Sequence, residues 1–220
     1  MIRGAIFDVD GTLFDSMGAW HNAGYNYLKS QGVNADRNIG NVFFSMTMDE
    51  VVEYIQKNFH VPGDKEDVAK GIHDQVEDYY RDRVELKPGA MNLLNTLRTK
   101  GIPCTIATST DRFLIEMGLD KVGIGGYFVG IFTTSEVGKG KSSPDIFRQA
   151  MHLMGTEAKD TWLFEDGLYS MNTAKAYGMS VVGVYDKVSH EDQGTIKEVA
   201  DIYVETLEDL RVEDLQRWVR

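Results

Sequence analysis

The chain has a single cysteine, Cys104, so no internal disulfide can form. Cys104 lies in an apolar run and reads as a small core residue rather than a nucleophile. A chain without disulfides suits a reducing compartment, and a cytoplasmic location is expected. No apolar run approaches the roughly 20 residues that a membrane-spanning helix requires. The first residues enter a strand pattern without the features of a secretory leader. Positive charge is scarce: 23 Lys and Arg stand against 34 Asp and Glu, a formal net charge of −11. Nucleic acid and anionic membranes attract basic faces, so neither is expected as a partner. An anionic substrate would have to be drawn locally, by a metal ion or a few placed lysines and arginines. Internal repeats and low-complexity tracts are also missing, and nothing in the pattern sets an oligomeric state.

What remains is a chain of 220 residues, enough for one large domain or a core with a smaller insert. Gly4 to Phe7 reads as a short apolar strand. Trp20, Gly24, Tyr27, Leu28 and Gln31 then fall at helical spacing, and Gly32 is a helix stop. Thr47 and Glu50, three apart before an apolar run, form a capping-box signature. Val51, Val52, Tyr54, Ile55 and Phe59 mark one face of the helix that follows, which Val61-Pro62-Gly63 ends. A third helix over 65–83 carries Val68, Ile72, Val76, Tyr79 and Tyr80. From Pro88 onward the pattern alternates. Strands are expected over 103–108, 130–133, 161–164, 180–184 and 202–204. Helices are expected after Pro88-Gly89, over 111–117, 143–154 and 169–177, and from about Leu207. Such alternation implies an α/β fold, a doubly wound parallel sheet with helices on both faces. The expected division is a Rossmann-like core of 1–15 and 84–220, interrupted by an all-helical segment of 16–83.

Ligands of an open parallel sheet bind beyond the carboxyl ends of its strands, and the polar residues cluster there. Asp8 and Asp10, followed by Gly11-Thr12, leave the first strand. Two carboxylates that close raise each other's pKa unless a cation sits between them. A hard ion with oxygen ligands, magnesium above all, gives the pair a purpose. A carboxylate so placed can also attack a phosphoryl group. The alternative is a turn with two solvated aspartates. Thr108-Ser109-Thr110 ends another strand in hydroxyls, which either hold phosphate oxygens or cap the next helix. Lys141 sits in a Gly-containing loop before a helix, as a phosphoryl-binding charge or as a surface lysine. Glu165-Asp166 sits at the tip of the 161–164 strand, able to complete a metal site or merely to favour a helix N-terminus. Each plain alternative holds alone; all four together, each at a strand's carboxyl end, point to one catalytic site.

On Asp8-Val9-Asp10-Gly11-Thr12-Leu13, Thr108-Ser109, Lys141-Ser142-Ser143-Pro144-Asp145-Ile146-Phe147 and Glu165-Asp166, the chain resembles the haloacid dehalogenase-like hydrolases. The branch is the one with a helical cap after the first strand, which includes β-phosphoglucomutase-like phosphatases. The resemblance implies that Asp8 is the nucleophile and that Asp10 is the general acid and base, its backbone carbonyl also a metal ligand. Thr108, the amide of Ser109, and Lys141 would hold the phosphoryl group, and Asp166 with Glu165 would hold magnesium. It departs from the family at Gly167 and Ser170, where Ser and Gly are common in that order. In β-phosphoglucomutases a cap His assists the acid, and a cap Arg following a Ser binds the second phosphate. The matching positions here are Trp20, with His21 beside it, and Met46 after Ser45. Phe43, Phe44, Met46 and Met48 read mainly as packing within the cap.

The implied activity is a magnesium-dependent phosphatase acting on a small soluble phosphomonoester through an aspartyl phosphate. The alternatives are a sugar phosphomutase and a catalytically silent binder of phosphorylated ligands. Intact Asp8, Asp10, Lys141 and Asp166 argue against the silent binder. An uncharged Met46 argues against the mutase.

Overall fold

The structure, a computed structural model, describes residues 2–44 and 46–217. Strand β1 (Gly4–Phe7) is followed by four helices: α1 (Met17–Ser30), α2 (Ile39–Phe43), α3 (Met48–Phe59) and α4 (Lys65–Asp82). Alternation then begins with α5 (Ala90–Thr99), β2 (Cys104–Thr108), α6 (Arg112–Val122), β3 (Phe128–Thr133), α7 (Thr134–Val137) and α8 (Asp145–Met154). It continues through β4 (Thr161–Glu165), α9 (Leu168–Ala176), β5 (Ser180–Val184), α10 (Gln193–Val199), β6 (Ile202–Val204) and α11 (Asp214–Arg217). No helix among the described residues is long and apolar enough to cross a membrane.

The six strands form one sheet in the order β3-β2-β1-β4-β5-β6, with every pairing parallel. Side chains alternate between its faces. Ala5, Phe7, Trp162 and Phe164 pack into one apolar cluster with α5 and α6. Ile6 and Leu163 pack into the other, with α8, α9 and α10. Burial on both faces is why these strands read as continuous apolar runs rather than alternating ones. The strand order reverses between β1 and β4, the chain crossing back over the sheet after β3, so the carboxyl ends of β2, β1 and β4 stand side by side. That switch point is where such a sheet leaves a crevice.

Met17–Asp82 is helical throughout its regular elements. The capping box at Thr47 is formed in full, with Glu50 closing it. The two connections that lead into and out of these helices run together: Asp15 N–H donates to Glu85 O at 3.0 Å and Lys87 N–H to Leu13 O at 2.8 Å. The inserted helices share the apolar cluster on the α5–α6 face through Leu13, Phe14, Tyr80 and Val84. Gly118 on α6 makes this docking possible. A Cβ built there would lie 2.6 Å from the Phe14 ring and 3.0 Å from that of Tyr80.

Three short helices, α2, α7 and α10, carry too few buried apolar positions for periodicity to reveal them; α10 buries only Gln193 and Ile196. The helix expected from Leu207 is a 3-10 turn over Leu207–Asp209 followed by the single turn α11. Residues 218–220 of that expected helix lie outside the described residues.

Candidate active site

Asp8 leaves β1 one residue after Phe7, which is in register with Ile106 on β2 and Phe164 on β4. The register brings Asp8 level with Glu165, and Asp8 N–H donates to Phe164 O at 3.0 Å. Asp8, Glu165 and Asp166 are all buried and offer oxygens within 4.8 Å of one another. Lys141, only 1% exposed, reaches them from the loop between α7 and α8. Its Nζ donates to Asp8 Oδ1 and, at 2.9 Å, to Glu165 Oε2. Burial alone would lower the pKa of the Lys141 ammonium, but Asp8 and Glu165 outweigh it and raise it. The lysine expected at this site is therefore a buried, fixed charge.

Glu165 is held on all sides. Ser170 Oγ joins Lys141 on Oε2 at 2.6 Å, and the amides of Asp166 and Gly167 donate to Oε1 at 3.2 and 3.1 Å. The two positions that depart from the family pattern, Gly167 and Ser170, are thus both used to fix this carboxylate. Asp166 has one hydroxyl donor among the described residues, Ser189 Oγ at 3.1 Å. Gly11, at φ +86°, lies so close that a Cβ would meet Asp166 Oδ2 at 2.5 Å.

One lysine does not balance three buried carboxylates. Burial, then the charge of Glu165, pushes the Asp8 carboxyl up to about 8, against the pull of Lys141. Burial, Glu165 and Asp8 push Asp166 up as well. Oxygen donors clustered with excess negative charge fit a hard divalent cation. Asp166 is freer than Glu165 to bind one directly, since four donors already engage Glu165.

Asp10 points elsewhere. Its Oδ1 accepts from Ser16 Oγ at 2.5 Å and from the Tyr80 hydroxyl, and its Oδ2 from Thr110 Oγ1 at 2.8 Å. Tyr80 lies on α4, and its hydroxyl accepts from Trp20 Nε1 at 2.7 Å. Burial and the nearby Asp10 raise the Tyr80 phenol well above its ordinary range, so it stays a donor. Neither Ser16 nor Tyr80 was expected here, and Thr110, expected to hold phosphate oxygens or cap a helix, holds Asp10 instead. Tyr80 reads in sequence as one more core position of its helix; Ser16 and Thr110 at least adjoin the motifs. Neither Ser109 nor Thr110 caps α6, whose N-cap is Asp111.

A cavity of about 130 Å³ opens onto Asp8, Asp10, Thr108, Ser109, Glu165 and Asp166. Lys141 lines an adjoining pocket with Ser109, Lys139 and Tyr169. The inserted helices roof the cavity with Trp20, Phe43, Phe44, Met46 and Met48, so all four of the residues read as cap packing also face it. Ser45, the partner of Met46 in the motif match, lies outside the described residues. Cys104 is buried with its thiol pushed up to about 12, unsuited to act as a nucleophile.

A family model for haloacid dehalogenase-like hydrolases matches residues 5–184, and the chain belongs to that family. It is 28% identical over 209 residues to a bifunctional riboflavin kinase/FMN phosphatase of Arabidopsis thaliana. That match covers 94% of this chain but 54% of the relative, so the chain spans about half that protein's length. It is 27% identical over 200 residues to a probable pseudouridine-5'-phosphatase of Drosophila melanogaster, covering 86% of each. The fold superposes on CbbY from Rhodobacter sphaeroides, solved with xylulose-(1,5)bisphosphate. The TM-score is 0.83, the identity 22% and the coverage 96% of both chains.

The crowded carboxylates give a stability prediction. Asp8 has a folded-state pKa of about 8 against an ordinary 3.8. The folded protein thus holds a proton that the unfolded chain releases, and metal-free stability falls as pH rises between those values. A divalent cation replaces that proton. Magnesium should therefore raise the melting temperature more at pH 8 than at pH 5.5. An equal or larger rise at pH 5.5 would show that the three carboxylates are not the binding site.

Proposed function

We propose that the chain is a magnesium-dependent phosphomonoester hydrolase that forms an aspartyl phosphate on Asp8. The observation that carries this reading is the placement of Asp8, paired with a buried Lys141, beside two further carboxylates and a separately held Asp10. The reading divides the chain into a core of 1–15 and 84–220 and a helical cap of 16–83; the paired connections at Asp15 and Lys87 support that division. It takes the substrate to be a small phosphorylated molecule met in the cytoplasm. The names of the relatives, an FMN phosphatase and a pseudouridine-5'-phosphatase, support that class.

Asp8 attacks the phosphorus as the bond to the leaving alcohol breaks. Lys141 holds Oδ1 of Asp8 and leaves its other oxygen without a protein donor among the described residues. Asp10 delivers its proton to the departing oxygen, then takes a proton from the water that attacks the aspartyl phosphate. Thr108 and the Ser109 amide, at the end of β2, hold phosphoryl oxygens. Magnesium, held by Asp8, Asp166 and the Asp10 carbonyl, with Glu165 behind them, would neutralise phosphoryl charge and keep Asp8 ionised. Ser16, Tyr80 and Thr110 fix the carboxylate of Asp10, and Tyr80 does so from the cap. The approach of the cap therefore sets the acid. No Lys or Arg lines the cavity beneath the cap among the described residues, which favours water over a phosphorylated sugar as acceptor.

Phosphate release from p-nitrophenyl phosphate should require magnesium and should be abolished in a folded Asp8→Asn variant. Release at near wild-type rate from that variant contradicts covalent catalysis. Tyr80→Phe removes one of three donors to Asp10 and should lower kcat by about tenfold or more with little change in KM, the usual cost of losing a supporting hydrogen bond. The effect should be larger for an alkyl phosphate than for p-nitrophenyl phosphate, whose leaving oxygen needs less protonation. An equal effect on both would separate Tyr80 from proton transfer.

A further inference from the structure

The cavity has two kinds of wall. Its floor is the set of strand-end groups assigned above to catalysis. Its roof, contributed by the inserted helices, is almost wholly apolar and aromatic: Trp20, Phe43, Phe44, Met46, Met48 and Ile72. The Phe44 ring meets that of Tyr169, from α9 of the core, edge-on at 6.5 Å, so the roof touches the far wall. Among the described residues that line it there is no lysine or arginine. The Trp20 N–H is already given to Tyr80. His21 also lines the cavity; its Nδ1, buried without a partner, lies against Gly40 of α2.

Two cations lie next door, outside this cavity. In the adjoining pocket Lys139 pairs with Asp145 at 2.9 Å, and Lys141 pairs with Asp8 and Glu165. Lys141 is not available to a second anionic group on a substrate, and Lys139 lines the adjoining pocket rather than this cavity. A polyol would fare no better. Closed beneath this roof, most of its hydroxyls would lose water without gaining a partner, the costliest outcome for a polar group.

We infer that the leaving group is an uncharged alcohol with a largely apolar body and no second phosphate or carboxylate. This inference rests on the phosphomonoesterase reading and sharpens its substrate class.

The experiment compares kcat/KM for benzyl phosphate, glucitol 6-phosphate, glucose 6-phosphate and phosphoglycolate, with p-nitrophenyl phosphate as control. Benzyl alcohol is about as poor a leaving group as a sugar hydroxyl, so a difference among these esters reports recognition rather than reactivity. Benzyl phosphate should exceed the two sugar phosphates and phosphoglycolate by about tenfold or more, as one well-filled apolar contact discriminates. Turnover of p-nitrophenyl phosphate with equal or better use of glucitol 6-phosphate, glucose 6-phosphate or phosphoglycolate overturns this inference and leaves the hydrolase reading standing. No turnover of any ester, p-nitrophenyl phosphate included, overturns both.

Discussion

Asp8, Glu165 and Asp166 face one another at the ends of two adjacent strands, out of water, with the ammonium of Lys141 between the first two. Taking such charges out of water is costly, and removing one member of a buried pair usually costs several kcal/mol because the other is left uncompensated. The surroundings answer that cost in detail. Ser170 and two backbone amides complete Glu165, Ser189 reaches Asp166, and Lys87 ties Asp186 to the carbonyls of Gly11 and Tyr185 behind the site. The sheet order brings β1 and β4 together, and the positive φ of Gly11 keeps the turn clear of Asp166. What the protein leaves uncompensated is the excess negative charge, and that excess is the property a metal-assisted phosphoryl transfer needs.

The second carboxylate of the first motif is treated differently. Asp10 sits two residues from Asp8 yet is bound by neutral hydroxyls from three separate places: Ser16 at the entry to the helices, Tyr80 on α4 and Thr110 before α6. Two carboxylates with separate environments can take separate roles, one kept ionised by cations and the other free to cycle a proton. The route to Tyr80 runs through packing. Gly118 has no side chain, so α4 can close on α6, and the Tyr80 ring lies against Phe14 edge-on with centroids 6.3 Å apart. A glycine with no chemical role thereby helps to set the hydrogen bond from Tyr80 to Asp10.

The strands and their polar ends were legible because burial on both faces writes continuous apolar runs, and Asp, Thr, Lys and Gly punctuate where those runs stop. The capping box at Thr47 was legible because both partners lie within one turn. Tyr80 was not. Its spacing fits a buried helix face equally well, and its hydroxyl meets a residue 70 positions away. Phe43, Phe44, Met46 and Met48 satisfied the same apolar pattern whether they packed inward or faced a ligand, and three-dimensional closure alone separates the two. The shift of a hydroxyl from position 167 to position 170 reads in sequence as a departure from the family pattern. In three dimensions Ser170 still donates to Glu165, because one turn of α9 returns it to the strand tip.

The central claim is that Asp8 takes the phosphoryl group and that Asp10 is needed to remove it. The most direct test uses Asp10→Asn with p-nitrophenyl phosphate and magnesium, quenched in acid within the first turnovers. The leaving group then needs little protonation, while hydrolysis of the intermediate loses its base. The account predicts that the peptide containing Asp8 gains the mass of one phosphoryl group at Asp8 and that the adduct decays slowly. Release of p-nitrophenol with that peptide unmodified, or with the phosphoryl group on another residue, would contradict it.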